Sequence, residues 1–74
     1  MSHLSPLKYR EVIGCLRANG FIFDRPAKGS HEIWYNPTTR RRTTVPHHPG
    51  TLALGTLRAI IKQSGLTVDQ FLGR

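Results

Sequence analysis

Several features that define common protein classes are missing from this 74-residue chain. Cys15 is the only cysteine, so no disulfide can stabilise the fold, and a lone thiol fits a reducing compartment. The N-terminus has no charged segment followed by an apolar run, and no apolar run anywhere exceeds three residues, far below the roughly 20 that span a membrane. The length allows one domain, residues 1–74. These features predict a single-domain, soluble, cytoplasmic protein.

Motifs for several kinds of chemistry are also missing. The acidic residues Asp24, Glu32 and Asp69 are scattered, and there is neither a phosphate-binding glycine loop nor a nucleophile elbow. Glycosidase, nucleotidase and esterase activities therefore have no support. His47 and His48 are adjacent, but no third ligand follows at a useful spacing, so the sequence predicts neither a metal site nor another cofactor.

Positive charge is what the sequence has in excess. Eleven Lys and Arg residues face four acidic ones, which gives a formal net charge of +7. Arg40, Arg41 and Arg42 are consecutive, and Lys28 lies just before a predicted turn. A basic patch on a small domain is typical of nucleic-acid binding, and an acidic protein partner could use the same surface.

The spacing of apolar residues predicts the element order helix, three strands, helix. Ser5-Pro6 is typical of a helix start, and Asn19-Gly20 of a helix end. Extended segments follow at residues 21–25, 31–35 and 41–45. Pro26 is expected to interrupt the first, so that this strand lies at an edge of the sheet or ends there. A second helix is predicted from about Leu54 to Ser64, with a capping box opening a last helical turn at Thr67. The order predicts an α+β, αβββα fold with two helices on one face of a three-stranded antiparallel sheet.

His31 begins the second predicted strand and is the candidate for proton transfer. Histidine titrates near neutral pH, as RNA cleavage requires, and Lys28 and the arginine run are candidates to stabilise negative charge on the phosphate. Trp34 and Tyr35 must point to opposite faces of the strand, but the pattern does not say which is buried. Since His31 shares a face with Tyr35, a buried Tyr35 would turn His31 inward.

Several short runs together resemble one known family, the HicA (YcfA-like) toxins of bacterial toxin–antitoxin modules. They are Gly29-Ser30-His31, Val45-Pro46-His47-His48, residues 55–63 (GTLRAIIKQ) and Gly65-Leu66. The resemblance extends from the first helix to Phe71 and implies a double-stranded-RNA-binding-like fold. It also implies cleavage of mRNA by a toxin that a HicB-type antitoxin neutralises.

The resemblance places the family's catalytic histidine on His31. The family's Pro-x-His position falls on His48, for which a direct role in holding RNA is our hypothesis. With the basic residues and Ser30, the expected RNA-binding set is Lys28, Ser30, Arg40, Arg41, Arg42 and His48. Two alternatives stay open: a non-catalytic RNA-binding module of the same fold, and a protein-interaction domain whose basic surface meets an acidic partner.

Overall fold

Helices and strands follow the predicted order in the computed structural model, which describes residues 3–74. In chain order they are α1 (Tyr9–Ala18), β1 (Ile22–Pro26), β2 (His31–Asn36), β3 (Arg41–Pro46), α2 (Leu54–Ser64) and α3 (Val68–Leu72). The predicted α+β, αβββα fold is confirmed, and α3 is the expected terminal helical turn. None of the helices in this part of the chain combines the length and apolar character needed to cross a membrane.

The first helix begins later than Ser5-Pro6 predicts. Helical backbone starts at Tyr9, and the preceding segment is extended. It runs beside the loop that leads into α2: the N–H of Leu52 donates to the carbonyl of Leu7 at 2.8 Å, and Lys8 forms an isolated antiparallel bridge with Thr51. These backbone contacts explain the difference, because they satisfy groups that a longer helix would have used.

The three strands form an antiparallel sheet in the order β1-β2-β3. The edge position of β1 is therefore confirmed, but Pro26 does not interrupt the strand, since it is paired with Glu32 at the strand's end. The β1–β2 register shifts between Phe23 and Arg25, so Asp24 forms a bulge. Strands β2 and β3 pair without a break from His31 opposite Pro46 to the turn end of the hairpin.

The hydrophobic core lies between one face of the sheet and the helices. Trp34, Thr43 and Val45 are buried on that face, with exposed fractions of 2% or less. The helices contribute the buried residues Val12, Ile13, Leu16, Leu57, Ile60, Ile61 and Phe71. Because side chains alternate along a strand, the neighbours of these sheet residues face the other way and leave the second face of the sheet open.

Candidate functional site

His31 is the first residue of β2 and is exposed. The turn before it is held by two backbone hydrogen bonds: the N–H of Ala27 donates to the His31 carbonyl at 2.8 Å, and the N–H of His31 donates to the Lys28 carbonyl at 3.4 Å. The first of these bonds is short and fixes the backbone of His31. An imidazole presented at the end of a strand in this way can exchange protons with a bound ligand.

The direction of His31 follows from Trp34, which is the buried member of the Trp34-Tyr35 pair. Tyr35 is half-buried, and by alternation it shares the open face with His31 and Ile33. Arg42 of the next strand lies opposite Tyr35, and its guanidinium carbon is 4.2 Å from the centroid of the Tyr35 ring. The open face therefore offers an imidazole at one end and a phenol stacked with a guanidinium at the other.

The structure does not bring the arginine run to His31. Asn36 pairs with Arg41 and His31 pairs with Pro46, five residues along the strand. At about 3.4 Å per residue, the backbone of Arg41 lies about 17 Å along the hairpin from the His31 end, and that of Arg42, the nearest of the three, about 14 Å. The turn between β2 and β3 therefore places the backbone of these arginines at the opposite end of the hairpin from His31, and their contact with the phosphate at His31 stays a prediction.

The three arginines also diverge from one another. Arg40 lies in the turn with a positive φ of 61°, and Arg41 points to the helix side, where its Nε is 3.0 Å from the position that a Cβ on Gly65 would occupy. Only Arg42 stacks on the open face, where its Nε also lies 3.8 Å from a carboxylate oxygen of Asp24. The consecutive spacing in sequence thus hides three different environments.

Lys28 and Ser30 do lie beside His31, in the turn between β1 and β2. The carbonyl of Ser30 accepts a hydrogen bond of 2.9 Å from the N–H of His47, so this turn is joined to the loop after β3. His48 follows in that loop and is exposed, with its Nδ1 3.0 Å from the carbonyl of Pro49. The structure therefore gathers Lys28, Ser30 and both loop histidines at the His31 end of the sheet.

A network on the helix side of this end was not predicted from the sequence. Glu32 lies on the inner face, where its Oε1 accepts hydrogen bonds from the Tyr9 hydroxyl at 2.6 Å and from Trp34 Nε1 at 3.1 Å. Its Oε2 is 3.3 Å from Nδ1 of His47, and the His47 ring stacks on Tyr9 with centroids 3.9 Å apart and planes 10° from parallel. One carboxylate thus organises a phenol, an indole and an imidazole.

The network changes the ionisation of two of its members. Burial alone would raise the pKa of Glu32, but the hydrogen bonds from Tyr9 and Trp34, with the nearby His47, hold that pKa below its ordinary value. Burial and the contact with the Glu32 carboxylate raise the pKa of Tyr9 from 10.0 to about 12. Glu32 is therefore an anion, and Tyr9 a neutral donor, across the neutral pH range.

Base titration tests this network through Tyr9. Because the pKa of Tyr9 is raised in the fold, the stability that it contributes is complete below pH 10 and is lost as the pH rises toward about 12. Denaturant unfolding of the wild type and of Tyr9→Phe should therefore give a stability difference that shrinks across this range. A difference independent of pH from 9 to about 12 would contradict the Tyr9–Glu32 contact.

Beside this network lies an open cleft of about 400 Å³. It is lined by Lys8, Tyr9, Arg10, His47, His48, Pro49 and Gly50. Four of the lining residues are basic and exposed: Lys8 and Arg10 at the start of α1, and His47 and His48 in the loop after β3. Within residues 3–74 there is no group of three or more His, Cys, Asp or Glu side chains arranged to hold a metal ion.

The fold and charge define a small basic αβββα domain with an exposed histidine at the edge of an open sheet face. The family model of the HicA toxin of bacterial toxin-antitoxin matches residues 9–66, from the start of α1 to just beyond α2. The chain belongs to the HicA toxin family, and is thus a toxin of a toxin–antitoxin system with an antitoxin as its partner. A comparison with curated proteins gives no match.

Proposed function

We propose that this protein is an endoribonuclease toxin that cleaves mRNA with His31 as its catalytic residue. The observation that carries the proposal is the position of His31: an exposed imidazole on the open face of a strongly basic HicA-family domain. A buried imidazole could not reach a ribose-phosphate backbone, whereas this one is open to a large ligand. Lys28 and Ser30, in the adjoining turn, are well placed to hold the same stretch of RNA.

The chemistry that fits one exposed histidine is attack by the ribose itself. A base takes the proton from the 2′-hydroxyl, the 2′-oxygen bonds to the adjacent phosphorus, and the bond from phosphorus to the 5′-oxygen breaks. That leaving oxygen then receives a proton. His31 serves as the base or as the acid in this reaction, and no metal or other cofactor is required for either proton transfer.

Two further parts of the molecule support binding of single-stranded RNA. On the open face, Tyr35 with Arg42 offers an aromatic ring on which an unpaired base can stack, beyond the reach of His31 but on the same surface. His48 in the loop and Arg40 and Arg41 near the far turn are further candidates for phosphate contacts. A strand of RNA crossing the open face would pass from one group to the other.

A HicB-type protein is the proposed antitoxin. With a net charge of +7 on the toxin, an acidic surface on the partner would speed association and favour the correct pairing. The simplest means of neutralisation is coverage of the open sheet face, since this would remove His31 from RNA. Mixed with such a partner, the protein should lose activity, and His31 should become protected from chemical modification of its ring.

The direct test is incubation of the purified protein with mRNA in the presence of a metal chelator. The expected result is cleavage that leaves a 2′,3′-cyclic phosphate or its hydrolysis product on one fragment and a 5′-hydroxyl on the other. RNA that shifts in a gel but stays intact would instead favour the non-catalytic RNA-binding module. If the protein neither binds nor cleaves RNA, a protein-interaction domain becomes the better interpretation.

A further inference from the structure

The cleft beside α1 lies at the same end of the sheet as His31. Pro46 is paired with His31, and the next residue, His47, donates its backbone N–H to Ser30, the residue before His31. The cleft that His47 lines is therefore at the same end of the sheet as the proposed catalytic residue, on the helix side, whereas His31 faces the open side. The cleft and the arginine run, by contrast, are separated by nearly the full length of the hairpin.

Among residues 3–74, no carboxylate forms an ion pair with the cations of the cleft. Within the described residues, the carboxylates in ion pairs are those of Asp24 and Glu32, and neither contacts Lys8 or Arg10. Another carboxylate, on Glu11, accepts the backbone N–H of Lys8 at 2.9 Å as part of the N-terminal cap of α1. Lys8 and Arg10 thus line the cleft as exposed positive side chains that form no ion pair within residues 3–74.

His47 adds a donor whose orientation is fixed. Its Nδ1 lies against Glu32, and the ring stacks on Tyr9, so the imidazole cannot turn freely. Nε2 is the nitrogen that remains for a ligand, and when His47 is protonated this atom donates a hydrogen bond.

We propose that this cleft, formed by Lys8, Arg10, His47 and His48, binds a backbone phosphate of the same RNA strand whose reacting phosphate lies at His31. Two cations at the start of α1 and an oriented imidazole from the loop after β3 match a singly charged, multi-oxygen anion better than they match an apolar or cationic group. That the bound strand is RNA rests on the proposed function. The cleft supplies the positive charge near His31 that the arginine run, at the other end of the hairpin, does not.

The test compares RNA binding by two double variants with the same change in charge, both made in a His31→Ala protein so that the RNA stays intact. One is Lys8→Gln with Arg10→Gln; the matched control is Arg58→Gln with Lys62→Gln, two exposed residues of α2. The probe is a short single-stranded RNA followed by fluorescence anisotropy over a series of salt concentrations. Circular dichroism verifies that each variant is folded.

Loss of the cleft cations should weaken binding roughly tenfold at low salt, the effect of removing a charge-assisted hydrogen bond. It should also lower the slope of log affinity against log salt by about 0.7 for the lost phosphate. The α2 variant should lose less RNA affinity than the variant of Lys8 and Arg10, and its salt dependence should change less. Equal losses of RNA affinity in the two variants would overturn the proposal, because they would reflect net charge alone. The proposal would also be overturned if the Lys8 and Arg10 variant lost affinity for an acidic antitoxin while its RNA affinity was unchanged.

This comparison separates failure of the cleft from failure of the nuclease. If the wild type cleaves RNA while the Lys8 and Arg10 variant binds RNA as tightly as the His31→Ala protein in which it was made, the cleft proposal alone is wrong. If the wild type cleaves nothing but the cleft variant binds more weakly than the α2 control, the phosphate site stands and the catalytic assignment falls.

Discussion

Replacement of His31 by alanine is expected to lower the rate of RNA cleavage by at least about 100-fold, since a positioned acid or base contributes about 10²- to 10⁴-fold. The side chain is exposed and its backbone hydrogen bonds do not involve the ring, so the variant should fold as the wild type does. Cleavage of a labelled RNA is measured under single-turnover conditions, and RNA affinity is measured separately. The loss should appear in the rate and not in the affinity.

His3→Ala is the matched control, because His3 is also exposed but lies outside the open sheet face. It should cleave RNA at the wild-type rate. Wild-type activity in the His31 variant would remove this residue from the mechanism and turn attention to His47, the imidazole that Glu32 orients. A parallel loss of rate and affinity would identify His31 as an RNA-binding residue instead.

Trp34→Ala is expected to cost about 3–5 kcal/mol of folding free energy, the range for deleting a large buried aromatic side chain. Trp34 is only 2% exposed, and its indole N–H donates to Glu32, so the variant loses core packing and one of the donors to that carboxylate. Small domains have total stabilities of about 5 kcal/mol or somewhat more, so much of this variant should be unfolded. Denaturant or thermal unfolding followed by circular dichroism measures the loss.

The neighbouring substitution Tyr35→Ala provides the comparison. Tyr35 faces the open side of the sheet, where it contacts Arg42, and its removal should cost about 1 kcal/mol or less. The pair tests which face of β2 is buried, and therefore the exposure of His31, which shares the face of Tyr35. Equal destabilisation by the two substitutions would mean that the strand is buried on both sides.

Most of the fold could be predicted from local patterns. The apolar stripes of α1 and α2, the glycine after α2 and the capping box at Thr67 all depend on residues close in sequence, and the structure has each of them. The predicted start of α1 at Ser5-Pro6 is wrong because the true start depends on a backbone pairing between Lys8 and Thr51, which are 43 positions apart. A distant partner of this kind leaves no periodic signal in the segment itself.

The candidate site was less predictable for the same reason. A run of three arginines predicts a single basic patch, but neighbouring side chains of a strand point to opposite faces of the sheet. The register of the hairpin then determines which end of the sheet the arginines occupy. The link between Glu32 and His47 joins two elements through Tyr9 of a third. Its one trace in the sequence is an acidic residue inside a strand of an otherwise basic protein, a position where a buried carboxylate needs partners.

The bulge at Asp24 has a consequence for how the free toxin behaves at high concentration. Strand β1 is an outer strand, and it carries Ile22 and Phe23, which are 55% and 46% exposed. A long flat edge with such side chains would recruit other chains into extended sheets. Here the irregularity at Asp24 and the proline at the strand's end shorten the straight stretch of exposed edge. We therefore expect β1 to resist pairing with other chains even when no antitoxin is bound.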